Sequence, residues 1–448
     1  MKNISLICDE NYLNWVKPLM QNSQNIFFHI FCTNEDVYEE ISMLNCTNYK
    51  LHKINNKAYK INIKNVINKI EKIFKISFFE IKKSFYAYDE ILLSNSLKKY
   101  ELNSSILDKY ICNIFITFEK FFKKNKINCF FIEQESGIIS AIIKNLSKLN
   151  NVKCIVFYEV YFNNEFLLLD ANTLKPYPNR IKNIKKKNDV SFSKLKYEPI
   201  SENEKEWQEQ NKKNHTIIKR IKRKNKNYNN FLYLNFFEKL KYKFIRILTN
   251  LYLNFNTSDL IPKSYAIFYL SYQPEATTYG FGSPTTDLGF LIKKIRLSLP
   301  QNISLLIKEH PEQLKKIPRS LSFYRKIKRL KNTHLISDNL NKKKLIQKSK
   351  LIFTISGTIG LEAALIEKKV IVFSKLVSNL FNKNIFLCDN LNYLSDLIRI
   401  NLEKKSENVS YKDYQNLKSF FYKGQLYFKN EQNTIAYKSI YKFINTQL

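Results

Sequence analysis

Two hydroxyl side chains flank a glycine at Ser356, Gly357 and Thr358, a composition that suits phosphate binding. Backbone N–H groups at the start of a helix, together with nearby hydroxyls, can hold an anion, and the helix dipole favours its negative charge. The chain has only seven glycines, and both Gly357 and Gly360 fall here, where they would let a helix approach a ligand closely. The alternative is an ordinary helix start that Ser356 or Thr358 caps.

A histidine follows a second apolar run, in the segment KEHP. His310 at this position could donate a hydrogen bond to a phosphate oxygen, and Lys308 adds positive charge beside it. Pro311 disfavours a helix that would begin before it. The alternative for His310 is a capping role in a surface loop. The sequence shows no metal-ligand spacing among the remaining histidines and no convincing Asp-X-Asp loop, so we expect no bound metal; those histidines are His29, His52, His215 and His334.

Carboxylates occur near the ends of other predicted strands. Glu275 follows one strand in the C-terminal part, and Glu133 and Glu135 follow another in the N-terminal part. Any one of the three could act as a general base on an acceptor hydroxyl, and the sequence does not choose among them. Glu362 could accept a hydrogen bond from a ribose hydroxyl, or it could simply favour the N-terminal end of its helix.

The elements that must position these residues alternate between strands and helices. Apolar runs predict C-terminal strands at 265–273, 303–308, 334–336, 351–355 and 370–373. The helices predicted between them include Asp287 to Ser298 and Ile359 to Ile366. The N-terminal part has the same rhythm, which indicates mostly parallel sheets covered on both faces. Because ligands sit beyond the carboxyl ends of parallel strands, the loops after 272, 308 and 355 should open onto one edge.

The composition places the chain among globular proteins with more than one domain. It has 448 residues, 44% of them hydrophobic, and a formal charge of +35 that implies an anionic partner. A codon bias toward A and T, which favours lysine, could contribute to that charge. Seven scattered cysteines without CxxC spacing predict reduced core residues in a cytosolic protein. Nowhere do about 18 uninterrupted apolar residues occur, and no signal peptide is evident.

The strand and helix rhythm stops between residues 180 and 250. This region has 20 Lys+Arg against seven Asp+Glu, a local net charge of 20 − 7 = +13. Within it, apolar residues repeat at helical spacing beside the basic stripe of Lys239, Lys243 and Arg246. Such a helix can lie on an anionic membrane surface, although the alternative is that it packs on the protein's own core. The apolar residues are Tyr233, Phe237, Leu240, Phe244, Ile247 and Leu251.

These patterns predict an α/β protein made of two Rossmann-like domains with a basic helical insertion between them. We place a first α/β domain at 1–179, the insertion at 180–261 and a second α/β domain at 262–390. The helices at 391–448 should pack back toward the first domain. The working cleft is expected between the two domains.

Three segments together resemble the capsule polysaccharide synthesis family of bacterial glycosyltransferases. They are YQPEATT, KEHPEQ and SGTIGLEAALIEKKVIVF, and the resemblance covers roughly residues 262 to 376. The family is similar to two-domain GT-B enzymes and includes transferases that use CMP-activated Kdo. Its QP motif corresponds to Gln273 and Pro274. The acidic continuation is reduced to Glu275, which departs from the aspartate-rich pattern of the Kdo transferases.

The resemblance implies that the His-Pro motif and the Ser/Thr-rich turn hold the donor nucleotide. The residues concerned are Lys308, His310, Pro311, Ser356, Gly357, Thr358 and Glu362. The resemblance therefore implies that the domain at 262–390 binds the nucleotide sugar and that the domain at 1–179 lies on the acceptor side. The catalytic candidates are His310 together with Glu275 or Glu135. We expect no cofactor other than the nucleotide-sugar donor, with a CMP-sugar favoured.

The resulting functional hypothesis is transfer of a sugar to a bacterial capsule or surface glycan. The alternatives are a non-catalytic nucleotide-sugar or glycan-binding assembly protein of the same pathway, and a transferase that uses a UDP-sugar. Expected partners are the nucleotide sugar, a lipid-linked or oligosaccharide acceptor and the anionic inner face of the cytoplasmic membrane. No recognisable module indicates specific nucleic-acid binding.

Overall fold

The computed structural model describes most of the chain outside the basic segment. The described residues are 1–9, 12–54, 62–79, 81, 104–132, 137–160, 165–179, 236–273, 287–310, 313, 319–337, 340–426 and 432–448.

The first sheet has seven strands in the order β13-β6-β5-β4-β1-β2-β3. The five strands from β5 to β3 are parallel, whereas β6 and β13 are antiparallel additions at one edge. The strands are β1 (Lys2–Cys8), β2 (Ile26–Cys32), β3 (Tyr49–Lys53), β4 (Cys129–Ile132), β5 (Lys153–Val160), β6 (Glu165–Asp170) and β13 (Tyr422–Lys423).

The second sheet has six parallel strands in the order β12-β11-β10-β7-β8-β9. Counted from β7 this is the order 3-2-1-4-5-6 of a dinucleotide-binding fold, so the winding direction reverses between β7 and β10. The strands are β7 (Tyr265–Tyr269), β8 (Ser304–Lys308), β9 (Thr333–Ile336), β10 (Leu351–Thr354), β11 (Val370–Val372) and β12 (Ile385–Leu387).

Helices connect the strands and cover both faces of each sheet. In the first half they are α1 (Leu13–Gln21), α2 (Glu35–Ser42), α3 (Ile63–Phe74), α4 (Ser104–Lys124) and α5 (Ile138–Leu149), and α6 (Phe236–Asn256) precedes the second sheet. In the second half they are α7 (Leu288–Ser298), α8 (Leu321–Lys328), α9 (Lys342–Lys348), α10 (Thr358–Leu365), α11 (Lys375–Leu380), α12 (Leu394–Glu403), α13 (Tyr411–Lys418) and α14 (Gln432–Gln447).

The cores follow directly from the apolar runs. Residues that alternate along the strands of the second sheet, among them Phe268 and Phe353, are buried against α7 and α12, and α12 contributes Ile398 to this core. The C-terminal helix α14 packs on the first sheet, where Phe443 lies edge-on to Phe131. Six of the seven cysteines are buried and all seven are free, as the sequence predicted.

The predicted fold class, two Rossmann-like α/β sheets in one chain, is confirmed. Of the predicted basic insertion at 180–261, the described part consists of helix α6 and the short non-helical segment 257–261, and residues 180–235 lie outside the described residues. The sequence did not predict four short or partly polar strands, namely β3, β6, β12 and β13. The domain boundaries at 179, 261 and 390 stay predictions.

Candidate functional site

Three loops meet at the carboxyl edge of the second sheet, where its winding direction reverses. β7 is hydrogen-bonded to β10 on one side and to β8 on the other, and all three strands run in the same direction. The register pairs Phe353 with Phe268 and Tyr269 with Lys308, so the three strands end at nearly the same level. The loops that begin at Leu270, Glu309 and Ile355 are therefore neighbours, at the place where this type of sheet binds ligands.

The Ser356 turn leads straight into the buried helix α10. Helix α10 begins at Thr358, one residue earlier than predicted, and Gly357 is its N-cap residue. The N-cap residue is therefore neither Ser356 nor Thr358, so the alternative that places either of them at the N-cap position is wrong. Ser356 itself is only 2% exposed. The first turn thus keeps backbone N–H groups without an intrahelical partner, which is the arrangement that binds anions.

The two glycines of this turn let the helix lie close to its own strand. A Cβ at Gly360 would lie 3.1 Å from Thr354 Cγ2 and 3.5 Å from methyl groups of Val372 and Val377. A Cβ at Gly357 would lie 2.9 Å from Thr354 Oγ1, the same oxygen that accepts a 3.3 Å hydrogen bond from the Gly357 N–H. Close packing of the helix on the strand therefore accounts for glycine at both positions.

His310 is the second residue of the loop that follows β8. Its side chain is half-buried, and its ring lies 5.9 Å from the ring of Tyr272 in the neighbouring loop. Its backbone N–H donates a 2.7 Å hydrogen bond to Glu309 Oε1. The backbone at His310 is therefore held by the side chain of the residue before it.

Glu309 belongs to a buried network that sequence reasoning missed. Arg319 donates to both Glu309 oxygens, at 2.8 Å from Nε and 3.2 Å from Nη2, and the hydroxyl of Tyr324 donates to Oε2 at 2.6 Å. The two charged side chains are only 6% and 7% exposed. A buried carboxylate is tolerated when a guanidinium and further hydrogen bonds compensate its lost hydration, as they do here.

The same network joins the first loop to the second. Arg319 donates to Gln273 Oε1 at 2.7 Å and to the Ser271 carbonyl at 2.6 Å. Gln313 accepts a hydrogen bond from the Gln273 backbone N–H at 2.8 Å and donates one to the Gln273 carbonyl at 2.9 Å. The glutamine of the QP motif therefore positions the loop. The feature of the sequence that could have indicated this network is the group of polar residues directly after the buried strands.

Two predicted site residues are buried and have protein partners. Lys308 donates from Nζ to the Ser337 carbonyl at 3.1 Å, which directs it toward the loop after β9. Glu362 is 4% exposed at its side chain and forms an ion pair with Lys342, with Nζ–Oε2 at 3.1 Å. Glu362 lies four residues after Thr358, hence on the same face of α10.

Two hydroxyls at the end of β7 have no hydrogen-bond partner among the described residues. They are Tyr269 Oη and Ser271 Oγ, and both atoms are buried. Burial, and to a smaller extent the nearby charge of Glu362, raises the pKa of Tyr269 well above its usual value, so its hydroxyl stays protonated. Buried hydroxyls without partners are costly. Their position at the reversal point is consistent with a polar ligand.

The remaining predicted residues lie outside the described residues. They are Pro274, Glu275, Pro311 and Glu135, together with the alternative base Glu133. Their roles as the QP and HP prolines and as base candidates stay predictions.

Residues 177–379 match the family model described as capsule polysaccharide biosynthesis protein. This segment contains all three loops, so the resemblance inferred from their sequences is confirmed for this part of the chain. No protein of curated function matches the chain significantly.

Solved structures match at low sequence identity. A KpsC, a beta Kdo 2,7 transferase from Thermosulfurimonas dismutans, is 11% identical over 67% of this chain and 87% of its own, with a TM-score of 0.30. UDP-GlcNAc 2-epimerase from Methanocaldococcus jannaschii is 13% identical over 99% and 100% of the two chains, with a TM-score of 0.26. Anabaena Alr3699/HepE in complex with UDP and glucose is 10% identical over 100% and 98%, with a TM-score of 0.31.

None of the helices in the described ranges combines the length and the apolar character needed to cross a membrane.

Proposed function

We propose that the protein is a glycosyltransferase that moves a sugar from a nucleotide-sugar donor to a capsule or surface-glycan acceptor. The observation that carries the proposal is the buried network of Glu309, Arg319, Gln273 and Gln313. It fixes the loop of His310 beside the loop of Gln273, at the reversal point of a nucleotide-binding type of sheet. Such preorganisation is what a site needs in order to stabilise charge that develops during a reaction.

In the proposed reaction the acceptor hydroxyl attacks the anomeric carbon of the donor sugar. The bond from that carbon to the phosphate oxygen breaks, and its electron pair remains on the phosphate. The hydroxyl proton passes to a carboxylate, for which Glu275 and Glu135 are the candidates. The reaction is proposed to need no metal, because protein groups would neutralise the departing nucleotide.

The groups proposed to hold the nucleotide come from two loops. The Ser356 and Thr358 hydroxyls and backbone N–H groups at the start of α10 would bind the phosphate, and the imidazole of His310 would donate to it from the neighbouring loop. Lys308 adds positive charge near the loop, although its ammonium also binds the Ser337 carbonyl. Glu362 would accept from a ribose hydroxyl while Lys342 balances its charge.

A CMP-activated ulosonic acid is the proposed donor, and a lipid-linked or oligosaccharide glycan at the inner face of the cytoplasmic membrane is the proposed acceptor. The cytidine nucleotide is proposed from the family resemblance. A thermal-shift series with CMP, UDP and GDP tests it, because a ligand at 100 times its Kd stabilises the native state by about 2.7 kcal/mol. The largest shift is expected with CMP, and a larger shift with UDP would replace the proposed donor with a UDP-sugar.

The test of the activity is release of free nucleotide from a nucleotide sugar in the presence of a glycan acceptor. We expect acceptor-dependent release by the native chain and a loss of roughly 100-fold or more in His310→Ala, because one donor to a developing charge contributes about 10²–10³ in rate. His334→Ala, on β9 of the same sheet, is the matched control and should retain activity. Nucleotide binding without release would instead identify a non-catalytic binding protein.

A further inference from the structure

Helix α6 presents an apolar stripe to solvent. Five of its large apolar side chains are between 37% and 85% exposed; Ile247 and Leu248 are adjacent, and the other intervals are of three or four residues. Residues at this spacing lie on one face of a helix. The stripe consists of Phe244, Ile247, Leu248, Leu251 and Phe255.

The opposite face of the same helix anchors it to the second sheet. Thr249 is completely buried, and Leu253 belongs to the apolar core of that sheet. Three of the residues that the sequence placed in an apolar repeat, Phe244, Ile247 and Leu251, are thus exposed. The alternative that the apolar repeat packs on the protein's own core is therefore wrong for these three residues.

A cluster of positive charges borders the stripe. Helix α8 and the turn after it expose five cations, and the sequence from Leu321 to Ser337 contains no Asp or Glu. Arg325 lies 6.0 Å from the ring of Tyr252 on α6, and Lys328 donates a hydrogen bond to Asn256. Tyr252 and Asn256 directly follow Leu251 and Phe255, so these contacts lie along the border of the stripe. The five cations are Arg325, Lys326, Lys328, Arg329 and Lys331.

We propose that this surface, the α6 stripe with the α8 cations, docks on the anionic headgroups of a lipid bilayer. An exposed apolar face in contact with a basic border is the arrangement by which interfacial helices bind anionic membranes. A second copy of the chain fits less well, because a two-fold contact through the stripe would bring two clusters of five cations together. The docking does not depend on which reaction the site catalyses.

Co-sedimentation of the full chain with vesicles tests the proposal. Vesicles of phosphatidylglycerol and phosphatidylethanolamine should bind the chain, and vesicles of phosphatidylcholine should bind it at least tenfold more weakly. Leu251→Gln/Phe255→Gln should weaken binding by roughly tenfold or more, because two apolar side chains lose their burial. Asn250→Ala/Asn254→Ala, at exposed positions of the same helix, is the matched control and should bind like the native chain.

The electrostatic part is tested separately with Lys326→Gln/Arg329→Gln. Each cation near an anionic surface contributes about fivefold in affinity, so this pair should weaken binding by about 25-fold. Lys405→Gln/Lys412→Gln removes the same charge at exposed positions outside α6 and α8 and should have a clearly smaller effect.

Circular dichroism spectra would show that the variants are folded. Native-like vesicle binding by both folded variants, Leu251→Gln/Phe255→Gln and Lys326→Gln/Arg329→Gln, would overturn the proposal. A dimer that light scattering detects in the native chain and not in Leu251→Gln/Phe255→Gln would also overturn it, because the stripe would then be a protein interface.

Discussion

The two sheets bury polar side chains in different ways. At the carboxyl edge of the second sheet, Glu309 and Arg319 are charged, almost fully buried and joined by hydrogen bonds to two loops. In the first sheet, His29 and His52 lie on neighbouring strands with their ring nitrogens 3.1 Å apart, next to Phe31 and Phe121. The buried charges fix loops at the carboxyl edge, whereas the histidines fill space between aromatic rings.

The buried polar residues have a different role in each sheet. Burial lowers the pKa of both His29 and His52 to about 4, so the pair is neutral at pH 7 and contributes as a packed, hydrogen-bonded unit. The Glu309–Arg319 pair connects the loops that carry Gln273 and His310. The buried polar residues at the edge of the second sheet therefore position the loops of the candidate site.

Arg319→Met tests the buried charge and should have the largest effect on stability of any single substitution at neutral pH. Removing one partner of a buried ion pair typically costs about 3–5 kcal/mol, because the other charge remains without compensation. Urea denaturation of both proteins would measure this difference in the free energy of unfolding.

The control for this prediction is Arg399→Met. Arg399 forms an exposed ion pair with Asp396 at 3.4 Å, and such a pair contributes about 1 kcal/mol or less. The double variant Glu309→Gln/Arg319→Met should recover part of the loss, since no unpaired charge remains. Equal stability losses in Arg319→Met and Arg399→Met would show that the network does not hold the loops.

The histidine pair predicts a pH dependence confined to the acid side. Both folded-state pKa values are lowered from 6.5 to about 4, so the unfolded chain binds more protons between these values. Stability is therefore full above about pH 6.5 and falls as the pH decreases toward 4, by about 1.4 kcal/mol per pH unit for each ring protonated on unfolding. The two rings should titrate as a coupled pair.

Urea denaturation of the native chain and of His29→Phe/His52→Phe at several pH values measures this dependence. The double variant should lose the part of the slope that the pair contributes. An unchanged slope between pH 4 and 6.5 would mean that the rings are not buried as a neutral pair.

Gly360→Ala probes the contact between α10 and its strand and should have the smallest of these effects. Its methyl group would lie 3.1 Å from Thr354 Cγ2 and 3.5 Å from two valine methyls, and overpacking of this kind costs about 1–3 kcal/mol. Gly289→Ala in α7 is the control: its methyl group would lie as close as 3.2 Å to Asp287, but Asp287 is an exposed side chain that can move away, whereas Thr354 is buried. A thermal midpoint for Gly360→Ala equal to that of the control would contradict the close packing.

The sequence predicted the strands of the second sheet within about two residues, except β12 and the C-terminal end of β7. Their long apolar runs, such as Leu351–Thr354, leave little choice of element. It did not predict β3, whose sequence YKLHK is half polar, or β6, which pairs antiparallel at an edge. Pairing with a neighbouring strand, rather than local propensity, forms such strands.

The sequence predicted which loops form the candidate site, but it did not predict the hydrogen bonds that join them. Strand ends and parallel direction suffice to bring the loops of His310 and Ser356 to one edge. The pairing of Glu309 with Arg319, ten residues away along the chain, depends on how the segment folds back onto the sheet. The capping interpretation of Ser356 failed because Gly357 takes the N-cap position with extended backbone angles.

Calorimetric titration of CMP into the native chain, His310→Ala, Ser356→Ala and the control His334→Ala tests most directly whether the His310 and Ser356 loops form one nucleotide site. We expect CMP to bind the native chain and the control alike, and both site variants to bind at least tenfold more weakly, because each loses a hydrogen bond to the phosphate. Native affinity in folded His310→Ala and Ser356→Ala, or no CMP binding by the native chain, would contradict the account.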